Sequence, residues 1–167
     1  MTKYGSMRVM IFAPNIRREA RVMLFQSTLA GLSILILAFA LNVSVNAVLV
    51  ASLGATAFTV FTIPNAISAR QRAVIGGHGI GIFAGFTATL IIQQLPGLEL
   101  LGYAAAIGLS SIFMDITETE HPPAAGTALG IALTGFSLEA AVTVIGGAIG
   151  LSFSHRILRR WLKDIIR

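Results

Sequence analysis

The sequence predicts an all-α membrane protein with six apolar segments arranged as a 3+3 inverted repeat, segments two and five short or broken. Three observations carry this. Hydrophobic residues make up 55% of the 167-residue chain and charged residues only 11%, where a soluble domain carries about 25% charged. The 12 Lys and Arg fall in three clusters, Lys3 to Arg21, Arg70 with Arg72, and Arg156 to Arg167, leaving residues 73–155 without any. Two similar small-residue stretches, Ser52 to Phe58 and Pro123 to Leu129, each follow a long apolar run.

At ~1.5 Å rise per residue a helix needs about 20 residues to cross ~30 Å of hydrocarbon. The apolar segments cover roughly 23–41, 47–63, 74–94, 100–116, 122–135 and 138–155. Segment five reaches only about 21 Å. Turn chemistry separates them: Asn42 and Asn46, Pro64-Asn65, Pro96-Gly97, Glu120 to Pro123, and Gly135 to Ser137. Ala38-Phe39-Ala40 mimics a signal-peptide cleavage site. The run from Met23 to Leu41 is too long for a signal core, and a first transmembrane helix is preferred.

The charges set an orientation. Six crossings place residues 1–22, a basic N-terminal segment, on the cytoplasmic side of the cell inner (plasma) membrane together with Arg70, Arg72 and the C-terminus. The loops 42–46, 95–99 and 136–137 on the other side hold no Lys or Arg, as the positive-inside bias requires. Re-entrant segments two and five would keep the termini inside but strand Arg70 and Arg72 outside. The transmembrane domain is then 23–155, with repeat units of about 23–94 and 100–155. Residues 156–167 are expected to form a basic amphipathic helix on the inner leaflet, because Ile157, Leu158, Trp161, Leu162, Ile165 and Ile166 recur at helical spacing. Charges clustered at membrane edges point to the lipid bilayer as partner and away from nucleic acid, despite a net charge of +5. The absence of cysteine excludes disulfides and thiolate metal sites.

Aligning Thr56 with Thr127 pairs Ala57 with Ala128 and Phe58 with Leu129. Val74-Ile75-Gly76-Gly77 and Val144-Ile145-Gly146-Gly147 follow at nearly equal distances. Three segments per unit is odd, so the second unit enters the membrane from the opposite face. Transporters built this way bind substrate near the midplane, where helices are interrupted. The competing explanation is that membrane helices pack through Gly, Ala, Ser and Thr in any case.

Proline belongs in the first turn of a helix, where its missing N–H is not needed. Pro122-Pro123 therefore marks a helix start, and the N–H groups of Ala124, Ala125 and Gly126 are candidate free donors for an anion. Thr127 adds a hydroxyl. The matching stretch offers Ser52, Gly54, Ala55 and Thr56. His78 and His121 are ionisable groups at membrane depth and hence functional candidates; either could orient an anion or carry a coupled proton. The blander alternatives are a Pro-Pro that only starts a short helix and a His78 that only bonds a carbonyl between helices. Metalloprotease-type histidine motifs are lacking, and Gly76 to Gly81 is not followed by Lys-Ser/Thr. No catalysis, metal or cofactor is expected.

Three blocks, Ala51 to Ala57, Val74 to His78 and His121 to Leu129, resemble the HPP family of integral membrane proteins, named for His-Pro-Pro. With their flanks they cover roughly residues 24–153. The family is described with four transmembrane helices, which shortened or re-entrant segments two and five would reconcile with six segments. Chloroplast and cyanobacterial members are linked to nitrite transport, so the resemblance implies a small inorganic anion as cargo, nitrite first. Asp115, Glu118 and Glu120 depart from a family stretch that reads Met-Leu-Leu-Thr-Arg-Thr near Phe113 to Thr117. The alternative reading is a noncatalytic membrane scaffold or assembly protein. Gly-rich faces are compatible with a homo-oligomer.

Overall fold

A computed structural model describes residues 16–40 and 47–165. It contains six α-helices: α1 Ile16–Ala40, α2 Ala47–Thr62, α3 Gln71–Gln94, α4 Glu99–Ile116, α5 Pro123–Thr134 and α6 Leu138–Leu158. Two 3-10 turns, Ile67–Ala69 and Arg159–Trp161, complete the regular structure among the described residues. Each expected apolar segment is a helix, and no strand occurs among the described residues. Asn42, Asn46, Ile166, Arg167 and the first 15 residues lie outside them. Arg17, Arg18 and Arg21, assigned above to a separate basic leader, belong to α1 itself.

Four helices, α1, α3, α4 and α6, are long and apolar enough to cross a membrane. Helices α2 and α5 have 16 and 12 residues, about 24 and 18 Å, and fall short of the hydrocarbon thickness. The turn residues named from sequence set the boundaries. Gly97 turns the chain before α4 at φ +89°, and Gly135 closes α5 at φ +83°, backbone angles that suit glycine. Pro123 occupies the first position of α5. Ser137 caps α6 by accepting the Ala140 N–H at 3.0 Å, satisfying one orphan donor of the helix start.

The short helices α2 and α5 lie against each other at the centre. Helix α1 packs on α2, and α4 packs on α5; α3 contacts α4, α5 and α6, while α6 also contacts α2. Glycines bring α3 and α5 close. A Cβ on Gly81 would lie 2.4 Å from the Ala124 carbonyl oxygen, and one on Gly85 2.7 Å from that of Ala128. With Gly77, these residues form an i, i+4, i+8 stripe of the kind that lets membrane helices approach at backbone distance. Apolar side chains fill the flanks: Leu53, Val60, Phe61, Val74, Ala148 and Leu151 on one side, Ala84, Ala88, Ala106, Ala128 and Ala132 on the other.

The C-terminal tail differs from the amphipathic helix expected over 156–167. Helix α6 ends at Leu158, a 3-10 turn follows, and from Leu162, whose backbone is extended, the chain is no longer helical. The reason is Gln26, a fully buried amide in α1. Its Nε2 donates to the Lys163 carbonyl at 2.8 Å and to the Phe61 carbonyl, and its Oε1 accepts the Lys163 N–H at 3.4 Å. The Ile165 N–H adds a 2.9 Å bond to the Thr62 carbonyl. Leu162 is buried in the core beneath, and Asp164 accepts from the backbone and side chain of Asn65 at 3.1 and 3.0 Å. A buried amide must be satisfied, and an extended strap satisfies it where a helix, with its own groups paired internally, could not. Gln26→Ala is expected to free this strap and speed tryptic cleavage at Lys163 several-fold, with a stability loss of about 1–3 kcal/mol; unchanged cleavage would show the strap is held otherwise.

The same contacts bring several charged residues together at one end of the bundle. His155 Nε2 donates to the Pro64 carbonyl at 3.1 Å, and Arg72 donates to the Thr117 carbonyl at 2.7 Å. The start of α3, the 117–121 loop and the C-terminal strap are therefore neighbours. Arg72 and Glu118 form an exposed pair at 3.7 Å, a contact worth little in water.

Candidate functional site

The 117–121 loop is folded back onto α3 by two local features. Glu118 adopts φ +52°, a left-handed conformation that non-glycine residues seldom take. It lets the Thr119 N–H reach the Met114 carbonyl at 2.9 Å. On α3, Gly76 and Gly77 clear the surface: a Cβ there would lie 2.7 Å from Thr119 Cγ2 and 2.7 Å from His121 Cβ respectively. His121 is thereby seated over α3, fully buried, with its ring centroid 5.2 Å from that of His78.

The five polar side chains Ser52, Thr56, His78, His121 and Thr127 meet between α2, α3 and α5, with exposures of 4, 0, 0, 0 and 0%. They form one chain. Ser52 Oγ donates to the Pro123 carbonyl at 2.6 Å and lies 2.8 Å from Thr127 Oγ1. Thr127 Oγ1 is 2.8 Å from His78 Nδ1, and His78 Nε2 is 2.8 Å from Thr56 Oγ1. Thr56 Oγ1 is 2.9 Å from His121 Nε2, and His121 Nδ1 donates to the Ser68 carbonyl at 2.7 Å. A further 3.0 Å contact joins Thr56 Oγ1 to the Ser52 carbonyl within α2. Spacing puts Ser52 and Thr56 one helical turn apart on one face.

Two features of the expected site are not present as drawn from sequence. Helix α2 runs unbroken from Ala47 to Thr62, so Gly54, Ala55 and Thr56 lie in a helix interior and their amides are not free end-groups. Gly54 is only partly buried and Ala55 is exposed. At the start of α5, the Ala124 N–H donates to the His121 carbonyl at 2.8 Å and the Ala125 N–H to the Pro122 carbonyl at 3.1 Å. A tight first turn has paired two of the three amides assigned to an anion, those of Ala124 and Ala125. Pro122 is exposed, while Pro123 contributes its carbonyl. Gly126 lies beside Ser52, its Cβ position 3.4 Å from Ser52 Cβ. The polar groups available at the centre are thus hydroxyls and imidazoles, with no pair of facing helix N-termini.

Sequence reasoning missed the Ser68 carbonyl, which anchors His121; close helix packing, the reading the sequence favours for Gly76 to Gly81, is what brings Thr127 to His78. The spacing Gly77, Gly81, Gly85 was the available signal.

Family comparison bears on this site directly. The family model described as "HPP, transmembrane region" matches residues 15–160. The chain belongs to the HPP family. The three sequence blocks that resemble the family, around Ser52, His78 and His121, are the ones whose side chains form the buried chain. A Dictyostelium discoideum protein described as a transmembrane protein is 31% identical over 82 residues, covering 49% of this chain and 29% of the relative. The chain therefore spans under a third of that relative's length. No solved structure matches it. In this HPP-family chain the histidine of the His-Pro-Pro stretch is a buried core residue joining α2 to the 66–69 segment, and the two prolines start α5.

Proposed function

We propose that this HPP-family protein carries a small inorganic anion, nitrite first, through the region of the Ser52–Thr127–His78–Thr56–His121 chain. The observation that carries the reading is the convergence of five buried polar side chains between two helices too short to span and one that is long enough. Polar groups at membrane depth are costly and tend to mark an ion path. Hydroxyls and imidazole N–H groups are donors that a nitrite oxygen would accept, and they replace the backbone amides expected from sequence. The packing pattern supports an inverted repeat as the carrier's framework: α1 on α2 parallels α4 on α5, and α6 on α2 parallels α3 on α5. Rocking one three-helix unit against the other would expose the central site to alternate sides.

One observation favours a second reading, a noncatalytic membrane scaffold. Every polar side chain of the cluster already has partners within the protein, as in a lock that fixes helix packing. Purified protein in liposomes decides between them: nitrite flux above that of empty vesicles supports the carrier, and no flux of any anion in a panel, with the fold intact, supports the scaffold.

The charged end of the bundle is assigned to the cytoplasm by the positive-inside bias. The chain has no cysteine, so single replacements Arg70→Cys and Lys163→Cys report topology cleanly. Both are expected to react with an impermeant maleimide from the cytoplasmic side only; reaction of either from outside would overturn the assignment.

A further inference from the structure

The hydrogen-bond chain has a property that follows from its ends. It consists of five proton-bearing side chains, Ser52, Thr127, His78, Thr56 and His121, linked in a line. At one end Ser52 faces the Pro123 carbonyl, and at the other His121 Nδ1 faces the Ser68 carbonyl. Both termini are pure acceptors. Each hydroxyl brings one hydrogen, and each neutral imidazole brings one. Five hydrogens therefore serve six links. With both rings neutral, one link must leave two lone pairs facing each other in the core, an arrangement that buried polar groups avoid.

One additional proton removes the defect. With His121 carrying hydrogens on both nitrogens, Nδ1 donates to Ser68 and Nε2 donates to Thr56. Thr56 donates to His78 Nε2, His78 Nδ1–H donates to Thr127, Thr127 donates to Ser52, and Ser52 donates to Pro123. All six links are made. The only contact left without a hydrogen is the 3.0 Å approach of Thr56 to the Ser52 carbonyl within α2, which is intrahelical and dispensable.

We propose that this cluster is a proton-binding site holding one excess proton, which passes between His121 and His78 through the Thr56 hydroxyl. In the step, the His121 Nε2–H bond breaks as an O–H bond forms at Thr56. The original Thr56 O–H bond breaks as an N–H bond forms at His78 Nε2. His121 keeps its Nδ1–H and becomes neutral, His78 becomes the cation, and Thr56 again has one hydrogen. Six links are made before and after, and at 2.8 and 2.9 Å no heavy atom has to move. Two imidazolium rings with centroids 5.2 Å apart would repel, which limits the site to one proton.

The neighbouring elements leave the role to these two rings. Helices α2 and α5 contain no ionisable side chain. Helix α6 carries Glu139 and Arg156, both exposed, and His155, committed to the Pro64 carbonyl. Arg70, Arg72, Asp115, Glu118 and Glu120, from α3, α4 and the adjoining loops, are all exposed. Glu118 and Glu120 belong to the exposed part of the loop that carries His121. As co-substrate, the proton rests on the carrier reading: an anion arriving beside the cation would make a neutral pair, which is cheaper to hold in the core than either charge alone. The proton site itself does not depend on that reading.

The test uses the full-length protein in liposomes with an entrapped pH dye and a potassium–valinomycin potential, with and without nitrite. Proton influx in the wild type, lowered at least tenfold by Thr56→Val and restored by Thr56→Ser, is the expected result. Equal influx with Thr56→Val, or none in the wild type in either condition, overturns the proposal. In detergent, nitrogen-15 NMR of the imidazoles supplies a readout that does not rely on a variant. His78 and His121 should share a single protonation on acidification, while two separate protonations, or none before unfolding, overturn it. Proton movement without flux of any anion would sink the carrier reading alone. Nitrite flux indifferent to a pH gradient, together with proton influx indifferent to Thr56→Val, would sink the proton site alone.

Discussion

His121→Asn is expected to lower nitrite flux at least tenfold while leaving the protein folded. Asparagine places an amide near the position of Nδ1, so the 2.7 Å donation to the Ser68 carbonyl can be kept and the 117–121 loop stays seated. It is too short to reach Thr56, so the link to the Thr56 hydroxyl at 2.9 Å is lost and the chain is cut. A tenfold effect corresponds to about 1.4 kcal/mol, within the range for one buried hydrogen bond. His121→Ala would cut both links and is expected to destabilise as well, by about 1–3 kcal/mol beyond Asn for the unpaired Ser68 carbonyl and the vacated volume. Flux measured in liposomes together with thermal unfolding in detergent separates the two effects. Wild-type flux in His121→Asn would remove the ring from the transport path.

Gly81→Ala is expected to have the largest effect on stability. Its Cβ would lie 2.4 Å from the Ala124 carbonyl oxygen and 3.3 Å from Thr127 Cβ. The obstacle is backbone, which has no rotamer to yield, so α3 and α5 must separate. Overpacking of this kind costs about 1–3 kcal/mol and sometimes more. The displacement falls on Thr127, whose 2.8 Å contact with His78 Nδ1 closes the middle of the chain, so flux should fall with stability. Gly85→Ala, with its Cβ position 2.7 Å from the Ala128 oxygen and 2.8 Å from Ile131 Cβ, should behave alike. Gly79→Ala on the same helix meets nothing within 4 Å and is the control, with stability unchanged or slightly raised. Equal melting temperatures for Gly79→Ala and Gly81→Ala would contradict the close approach of α3 and α5.

Much of this was legible before any coordinates. Apolar length and turn residues located all six helices, because hydrocarbon thickness and backbone satisfaction leave an apolar chain few options. Ser52, Thr56 and Thr127 stood out through the two matching small-residue stretches, and His78 and His121 as ionisable groups at membrane depth. The tail illustrates the opposite case. Its apolar spacing suits a helix, yet Gln26, more than a hundred residues earlier in the chain, holds Lys163 in an extended strap. Periodicity describes a segment alone and carries no information about a distant amide that needs a partner.

The donors at the centre show the same division. Small residues around Gly54 suggested a broken helix, but nothing in Ser52 to Thr56 prevents a helix from continuing, and packing against α5 carries α2 straight through. Pro122-Pro123 did fix the start of α5, since proline geometry is local. Whether the next amides stayed free depended on how the first turn closed, onto the His121 and Pro122 carbonyls. By itself the sequence determined the solvent, the helices and the residues of interest, because hydrophobicity and proline act within a few positions. Tertiary structure alone decided which polar atoms face one another and that their line ends in a carbonyl at each side, because hydrogen-bond partners are chosen across helices at ångström precision.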